Sequence, residues 1–178
     1  MTTIAFDGRF LAADRRVTQN SEITTWACQK LDVSGDPLTA FASTGMIIEG
    51  WRAALIEWWL AGRAPGDMPP HGGDAKDIGN LIAIGTDGAA WVVSYLCPYP
   101  HRDEAPCAWG SGADYATGAM LAGKSAMEAV AIAAQRDAYT GGGVQFIDIH
   151  GLAAGVRDWS TATAPVLLRG RQRKRVAA

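Results

Sequence analysis

Paired apolar runs joined by short turn signals recur along the chain, which restricts it to folds built largely from antiparallel hairpins. Thr2-Thr3-Ile4-Ala5-Phe6 is β-branched and aromatic, Asp7-Gly8 marks a tight turn, and Arg9 to Ala13 resumes the apolar run. Two such strands across an Asp-Gly loop form a hairpin. A second pair follows, with Glu22 to Leu31 as one strand, Gly35-Asp36-Pro37 as the turn and Leu38 to Ala42 as the return. A third runs from Asn80 to Gly85, turns at Thr86-Asp87-Gly88 and returns from Ala89 to Leu96. Between the second and third pairs the period changes. Ile47, Ile48, Trp51, Ala54, Leu55, Trp58 and Trp59 recur at helical spacing with Arg52 and Glu57 between them, the pattern of a helix with a broad buried face.

The stretch from Gly62 to Asp77 is rich in Gly and Pro and reads as a loop, as does the Pro-bearing stretch before Trp109-Gly110-Ser111-Gly112. A helix is expected from about Ala113 to Leu121. A second opens on a Ser125-x-x-Glu128 capping box and runs to about Asp137. Tyr139 to Gly143 breaks it, and Val144 to Ile149 is a strand. Strands and helices thus come in runs and do not alternate strictly. That order argues for a layered α+β fold and against a doubly wound parallel sheet.

Length and composition suit one domain with a sizeable core, since 48% of the 178 residues are hydrophobic and 19% are charged. We expect that domain over residues 1–165 and a basic tail over 166–178, where Arg169, Arg171, Arg173, Lys174 and Arg175 read as solvated. A net charge of −2 gives no global drive toward nucleic acid or an anionic membrane. Cys28, Cys97 and Cys107 are odd in number and lack CxxC spacing, which fits a reducing compartment better than a disulfide scaffold. His71, His101 and His150 stand singly, so no metal site is expected. Gly110-Ser111-Gly112 lacks the third glycine of a dinucleotide fingerprint. No apolar run is long enough to cross a bilayer and no leader pattern opens the chain, so the expectation is a soluble, cytoplasmic protein.

The chemistry begins with Thr2. A hydroxyl is a poor nucleophile unless a base is near. The α-amino group of an N-terminal residue has a pKa of roughly 8, close to where a general base works best. Threonine is small enough for methionine aminopeptidase, so loss of Met1 puts nucleophile and base on one residue. Further motifs follow in order. Ala12-Ala13-Asp14-Arg15-Arg16-Val17-Thr18 comes first, then Lys30 in Gln29-Lys30-Leu31, sixteen residues beyond Asp14. Gly110-Ser111-Gly112 and Gln135-Arg136-Asp137 with Thr140-Gly141-Gly142 complete the series. Over about residues 2 to 149 this pattern resembles the proteasome β-subunits and their bacterial relative HslV.

The resemblance implies the four-layer αββα sandwich of N-terminal-nucleophile hydrolases and a threonine-type endopeptidase. Thr2 would attack a peptide carbonyl, Lys30 would tune the amine, and Asp14 would orient Lys30. Ser111, Asp137 and Thr140 would hold the amine and its water, with threonine at 140 where the family usually has serine. The oxyanion donor would be the backbone N–H of Ala42, within Ala40-Phe41-Ala42-Ser43-Thr44-Gly45. No metal or organic cofactor is implied. The segment from Thr2 to Asp14 is four residues shorter than in the family. The loss falls in the first hairpin, where an even step leaves every side chain on its face.

The partners implied are protein or peptide substrates and further copies of the chain in a homo-oligomeric ring, which admits unfolded chains unless an ATPase unfoldase supplies them. Trp51, Trp58 and Trp59 on one helix exceed what a single face must bury, a feature suited to subunit contacts. A small-molecule amidohydrolase of the same fold and an inactive ring-forming subunit are the alternatives. Taken singly, the residues have plainer readings: Asp14 with Lys30 as an ordinary ion pair, Ser111 as a helix cap, and Asp137 as a cap or a partner of Arg136.

Overall fold

The computed structural model describes residues 2–19, 22–45, 49–63, 67–70, 79–94 and 97–160. Met1, Ile47, Ile48, His71, most of the Gly/Pro-rich loop and the basic tail lie outside these residues. Among the described residues the elements are β1 (Thr3–Phe6), β2 (Phe10–Asp14), β3 (Val17–Gln19), β4 (Glu22–Thr25), β5 (Leu31–Ser34), β6 (Thr39–Ser43), α1 (Glu49–Leu60), β7 (Asn80–Ile84) and β8 (Ala90–Ser94). They continue with β9 (Cys97–Asp103), β10 (Cys107–Gly110), α2 (Ala113–Leu121), α3 (Ala126–Ala133), β11 (Val144–Asp148), a 3-10 turn (Ile149–Ala154) and β12 (Arg157–Trp159).

Among the described residues every strand pair is antiparallel. One five-stranded sheet has the order β10-β1-β2-β11-β12, the other β5-β6-β7-β8-β9, and β3 with β4 forms a separate ribbon. The fold is thus α+β. The first and third expected hairpins are present as β1–β2 and β7–β8, while the hairpin across Gly35-Asp36-Pro37 is β5–β6, with Leu31–Ser34 as its first strand. The Ser125 capping box forms as expected, with Ser125 Oγ accepting from Glu128 N and the Glu128 carboxylate accepting from Ser125 N.

Alternation sorts the core. Ile4, Phe6, Leu11 and Ala13 from the first sheet pack against Leu31, Ala40, Ala42, Ile82, Ile84 and Val92 from the second. The intervening Ala5 and Ala12 face the other way, against Ala116, Ala126, Ala129 and Ala133 of α2 and α3. Small residues on both sides let helix and strand approach closely. Phe41, Leu81, Ala83 and Val93 of the second sheet meet Trp51, Leu55, Ile56 and Trp58 of α1. Both faces of each sheet are therefore covered, which is why the strands read as continuous apolar runs.

Some expectations need correction. Glu22 to Leu31 is not one strand: β4 pairs with β3, and β5 begins a different sheet. In the segment between them, backbone N–H groups go elsewhere, Cys28 N to Arg15 O and Lys30 N to the side chain of Gln145. The Pro-bearing stretch expected as a loop contains β9 and β10. Pro98 and Pro100 sit on β9, an edge strand, where a missing N–H is tolerated. The helix opened by Ser125 stops at Ala133 and continues to Asp137 as tighter turns. Trp51 and Trp58 are each only 7% exposed and belong to the chain's own core, so they are not spare aromatic area. Trp59 is half-buried beside Trp91. No helix among the described residues is long and apolar enough to cross a membrane.

Candidate active site

Asp14 ends β2 and is fully buried. A buried carboxylate is costly unless its oxygens are satisfied, and these are. Oδ1 accepts from the Thr2 hydroxyl, from Thr3 N at 2.9 Å and from Lys30 Nζ at 2.7 Å. Oδ2 accepts from Arg16 N at 3.1 Å and Gly141 N at 3.0 Å. The backbone around Gly141 is drawn in too, because its carbonyl accepts from both Arg15 N and Arg16 N.

Lys30 leads into β5. Its ammonium has three protons to give, and it finds Asp14 Oδ1, the Thr2 hydroxyl oxygen and, at 2.6 Å, the carbonyl of Arg16. Burial pushes the Lys30 pKa down from its ordinary value, against the opposing pull of Asp14. The Thr2 hydroxyl therefore sits between a carboxylate that accepts its hydrogen bond and an ammonium that donates to its oxygen.

A loop on the far side fixes the backbone of Thr2. Ser111 N donates to Thr2 O at 2.9 Å. Gly110 has φ +98°, and a Cβ there would stand 2.0 Å from Thr2 O. A Cβ on Gly112 would stand 2.2 Å from Thr3 Oγ1. Only glycine leaves room for the threonines at both positions. Ser111 Oγ donates to Asp137 Oδ2 at 2.6 Å, and Thr140 Oγ1 donates to the same oxygen at 2.5 Å. Burial works against the Asp137 charge, but hydrogen bonds from Ser111, Thr140 and Tyr139 N outweigh it and hold the carboxyl below its ordinary range.

Thr2, Asp14, Lys30, Ser111, Asp137 and Thr140 thus meet in one connected network, although they come from both ends of the chain. Thr3 Oγ1 lies 2.5 Å from Thr140 Oγ1 and closes the link between the two halves. Ala42 does not join them. It pairs with Ile82 on β7, and Thr44 N bonds Asn80 O two residues along. Antiparallel bonds alternate in side, so the Ala42 N–H points at β7. The N–H of the next residue, Ser43, points instead at Lys30, with its hydrogen bond to Lys30 O at 3.3 Å. The donor expected at Ala42 is on the wrong side of the strand by one residue.

Gln145 and Thr3 escaped the sequence reading. Gln145 is buried in β11, where its amide bridges two segments. Oε1 accepts from Lys30 N at 3.3 Å, while Nε2 donates to Asp14 O at 3.3 Å and Cys28 O at 3.0 Å. The available signal was a lone amide inside the apolar run Val144 to Ile149.

With two covered antiparallel sheets and this buried threonine–carboxylate–ammonium cluster, the chain is an α+β protein whose fold occurs in known structures. It is similar to Thiobacillus denitrificans BPH, with a TM-score of 0.53 and 19% identity over 89% of this chain and 98% of that one. It is equally similar to Thiobacillus denitrificans BPH in complex with Epoxomicin, with a TM-score of 0.53, 18% identity and the same coverage. At such identity the likeness is one of fold. No family model and no curated protein matches the sequence.

Proposed function

We propose that the chain is a proteasome-like threonine peptidase that cleaves peptide bonds of unfolded proteins through Thr2 once Met1 is removed. The observation that carries this reading is the buried Thr2 hydroxyl held between Asp14 and Lys30. A buried, desolvated ion pair is a poor stabiliser on its own, and here it is built around a reactive hydroxyl. In support, one protein of similar fold is found in complex with epoxomicin, a proteasome inhibitor. The arrangement of α2 and α3 on one sheet, that sheet on the second, and α1 beyond it reads as the four-layer αββα sandwich.

In this mechanism the freed α-amine of Thr2 takes the hydroxyl proton, and Oγ1 attacks the scissile carbonyl. The Lys30 ammonium disfavours protonation of the amine and stabilises the developing alkoxide. The tetrahedral oxyanion is held by the Ser43 N–H, which leaves its long hydrogen bond to Lys30 O at 3.3 Å to do so. Collapse expels the substrate amine, which collects the proton from the Thr2 amine, and leaves an ester on Oγ1. Water, deprotonated by the same amine, then hydrolyses the ester. Asp14 keeps Lys30 charged and oriented, and Ser111, Asp137 and Thr140 hold the amine and its water.

Assembly into a homo-oligomeric ring belongs to the same proposal. The test of function is hydrolysis of fluorogenic peptides and of unfolded protein by purified chain whose N-terminus has been fixed by mass. Thr2→Ala should abolish turnover and leave folding intact, while Thr2→Ser should retain part of it. Full activity in the alanine variant sinks the proposal. Light scattering tests the ring: a monomer that still cleaves peptides removes it and favours the small-molecule amidohydrolase.

A further inference from the structure

The geometry points to Thr3 as a positioning residue that donates into the hydroxyl network beside Thr2 and orients the Thr140 hydroxyl on Asp137. This inference rests on the threonine-nucleophile reading and assigns a role to a side chain outside the expected catalytic set.

A count of donors fixes the directions. Asp137 is held below the ordinary carboxyl range and so acts as an acceptor only. Ser111 Oγ donates to its Oδ2 at 2.6 Å and Thr140 Oγ1 donates to the same atom at 2.5 Å. A hydroxyl has one proton, and Thr140 has spent its own on Asp137. The 2.5 Å contact between Thr3 Oγ1 and Thr140 Oγ1 must therefore be a donation from Thr3. The resulting chain runs from Thr3 to Thr140 to Asp137, with Ser111 meeting it from the other side. Thr3 itself is fully buried, and its backbone N–H is fixed on Asp14 Oδ1 at 2.9 Å. Gly112 leaves the space in which this hydroxyl lies, since a Cβ there would stand 2.2 Å from Thr3 Oγ1. Thr3 thus ties the Asp14–Lys30 half of the site to the Ser111–Asp137 half.

Donation from Thr3 polarises the Thr140 hydroxyl and strengthens its bond to Asp137, because hydrogen bonds in a chain reinforce one another. The Asp137 charge is then well compensated. Without the Thr3 hydroxyl, more of that charge acts on the Thr2 amine and keeps it protonated to higher pH. A protonated amine is not a base, so the acidic limb of the pH–rate profile moves upward.

The experiment compares Thr3→Ala with Thr3→Ser, each alone and in a Thr140→Ala background. Thr3→Ala should lower kcat by about tenfold, a part of what a general base contributes, with KM nearly unchanged and the acidic limb displaced to higher pH. Thr3→Ser restores the hydroxyl and should restore both kcat and the limb. In the Thr140→Ala background Thr3→Ala should add no further displacement, the non-additivity expected of residues in one network. An unmoved limb in Thr3→Ala, no rescue by serine, or additive effects with Thr140→Ala would each overturn the role. Denaturant unfolding of the wild type, Thr3→Ala, Thr140→Ala and the double variant reads the Thr3–Thr140 coupling without reference to turnover. A coupled cycle in a chain whose Thr2→Ala variant still hydrolyses peptides would therefore uphold the contact and sink only the peptidase reading.

Discussion

Lys30 Nζ stands 2.7 Å from Asp14 Oδ1, and the two side chains are 7% and 1% exposed. Such a pair gains little over apolar residues, but losing one member strands the other, at a cost of roughly 3–5 kcal/mol. Lys30→Ala should accordingly lower both the melting temperature and the turnover. Lys30→Met with Asp14→Asn should recover most of the stability and none of the turnover. Stability that fails to recover in the double variant would assign the pair a structural role instead.

Gly110 and Gly112 separate close approach from simple flexibility. Gly110→Ala forces a Cβ to 2.0 Å from the Thr2 carbonyl oxygen in a left-handed backbone, and Gly112→Ala forces one to 2.2 Å from Thr3 Oγ1. Each should cost about 3 kcal/mol or more, at the upper end of single substitutions. Gly118, within α2, meets nothing within 4 Å. Gly118→Ala should stabilise the chain by up to about 1 kcal/mol. Denaturant midpoints for the three variants check the ordering.

Asp137 carries a pH signature. Its folded pKa lies below the ordinary value, so it contributes stability above the unfolded carboxyl range, at about pH 3.9. That contribution is lost as pH falls through the lower folded value. The stability difference between the wild-type chain and Asp137→Asn should be constant near neutrality and shrink in acid. A difference that grows in acid would reverse the sign assigned here.

Gln145 should behave as a structural clamp with a catalytic consequence. Gln145→Leu keeps the volume but orphans the carbonyls of Asp14 and Cys28 and the N–H of Lys30. An unsatisfied buried group costs about 1–3 kcal/mol, and amide exchange in residues 26–30 should rise. Protection equal to that of the wild type would remove the clamp.

The hairpins were legible because Asp7-Gly8, Gly35-Asp36-Pro37 and Thr86-Asp87-Gly88 encode local turns. The capping box at Ser125 was legible for the same reason. The break after Thr25 was not, since it follows from bonds to Arg15 and Gln145, distant in sequence. The strand β9 was hidden by Pro98 and Pro100, which only an edge position admits. The motif residues around Thr2 were legible only through the family resemblance that their order carries. Ala42 failed because a strand's N–H groups alternate in direction, and sequence spacing cannot fix that register to one residue. Trp51 and Trp58 looked surplus because the second sheet's covering face, with Phe41, Leu81 and Val93, is assembled from separate hairpins.

The most direct test of the central claim is intact-mass spectrometry after incubation with epoxomicin. The claim is that Thr2, freed of Met1, is the reacting residue. The account predicts one inhibitor mass added to the wild-type chain lacking Met1, and none added to Thr2→Ala processed to the same length. An adduct on Thr2→Ala equal to that on the wild type, or no adduct on a wild-type chain that has lost Met1, would contradict it.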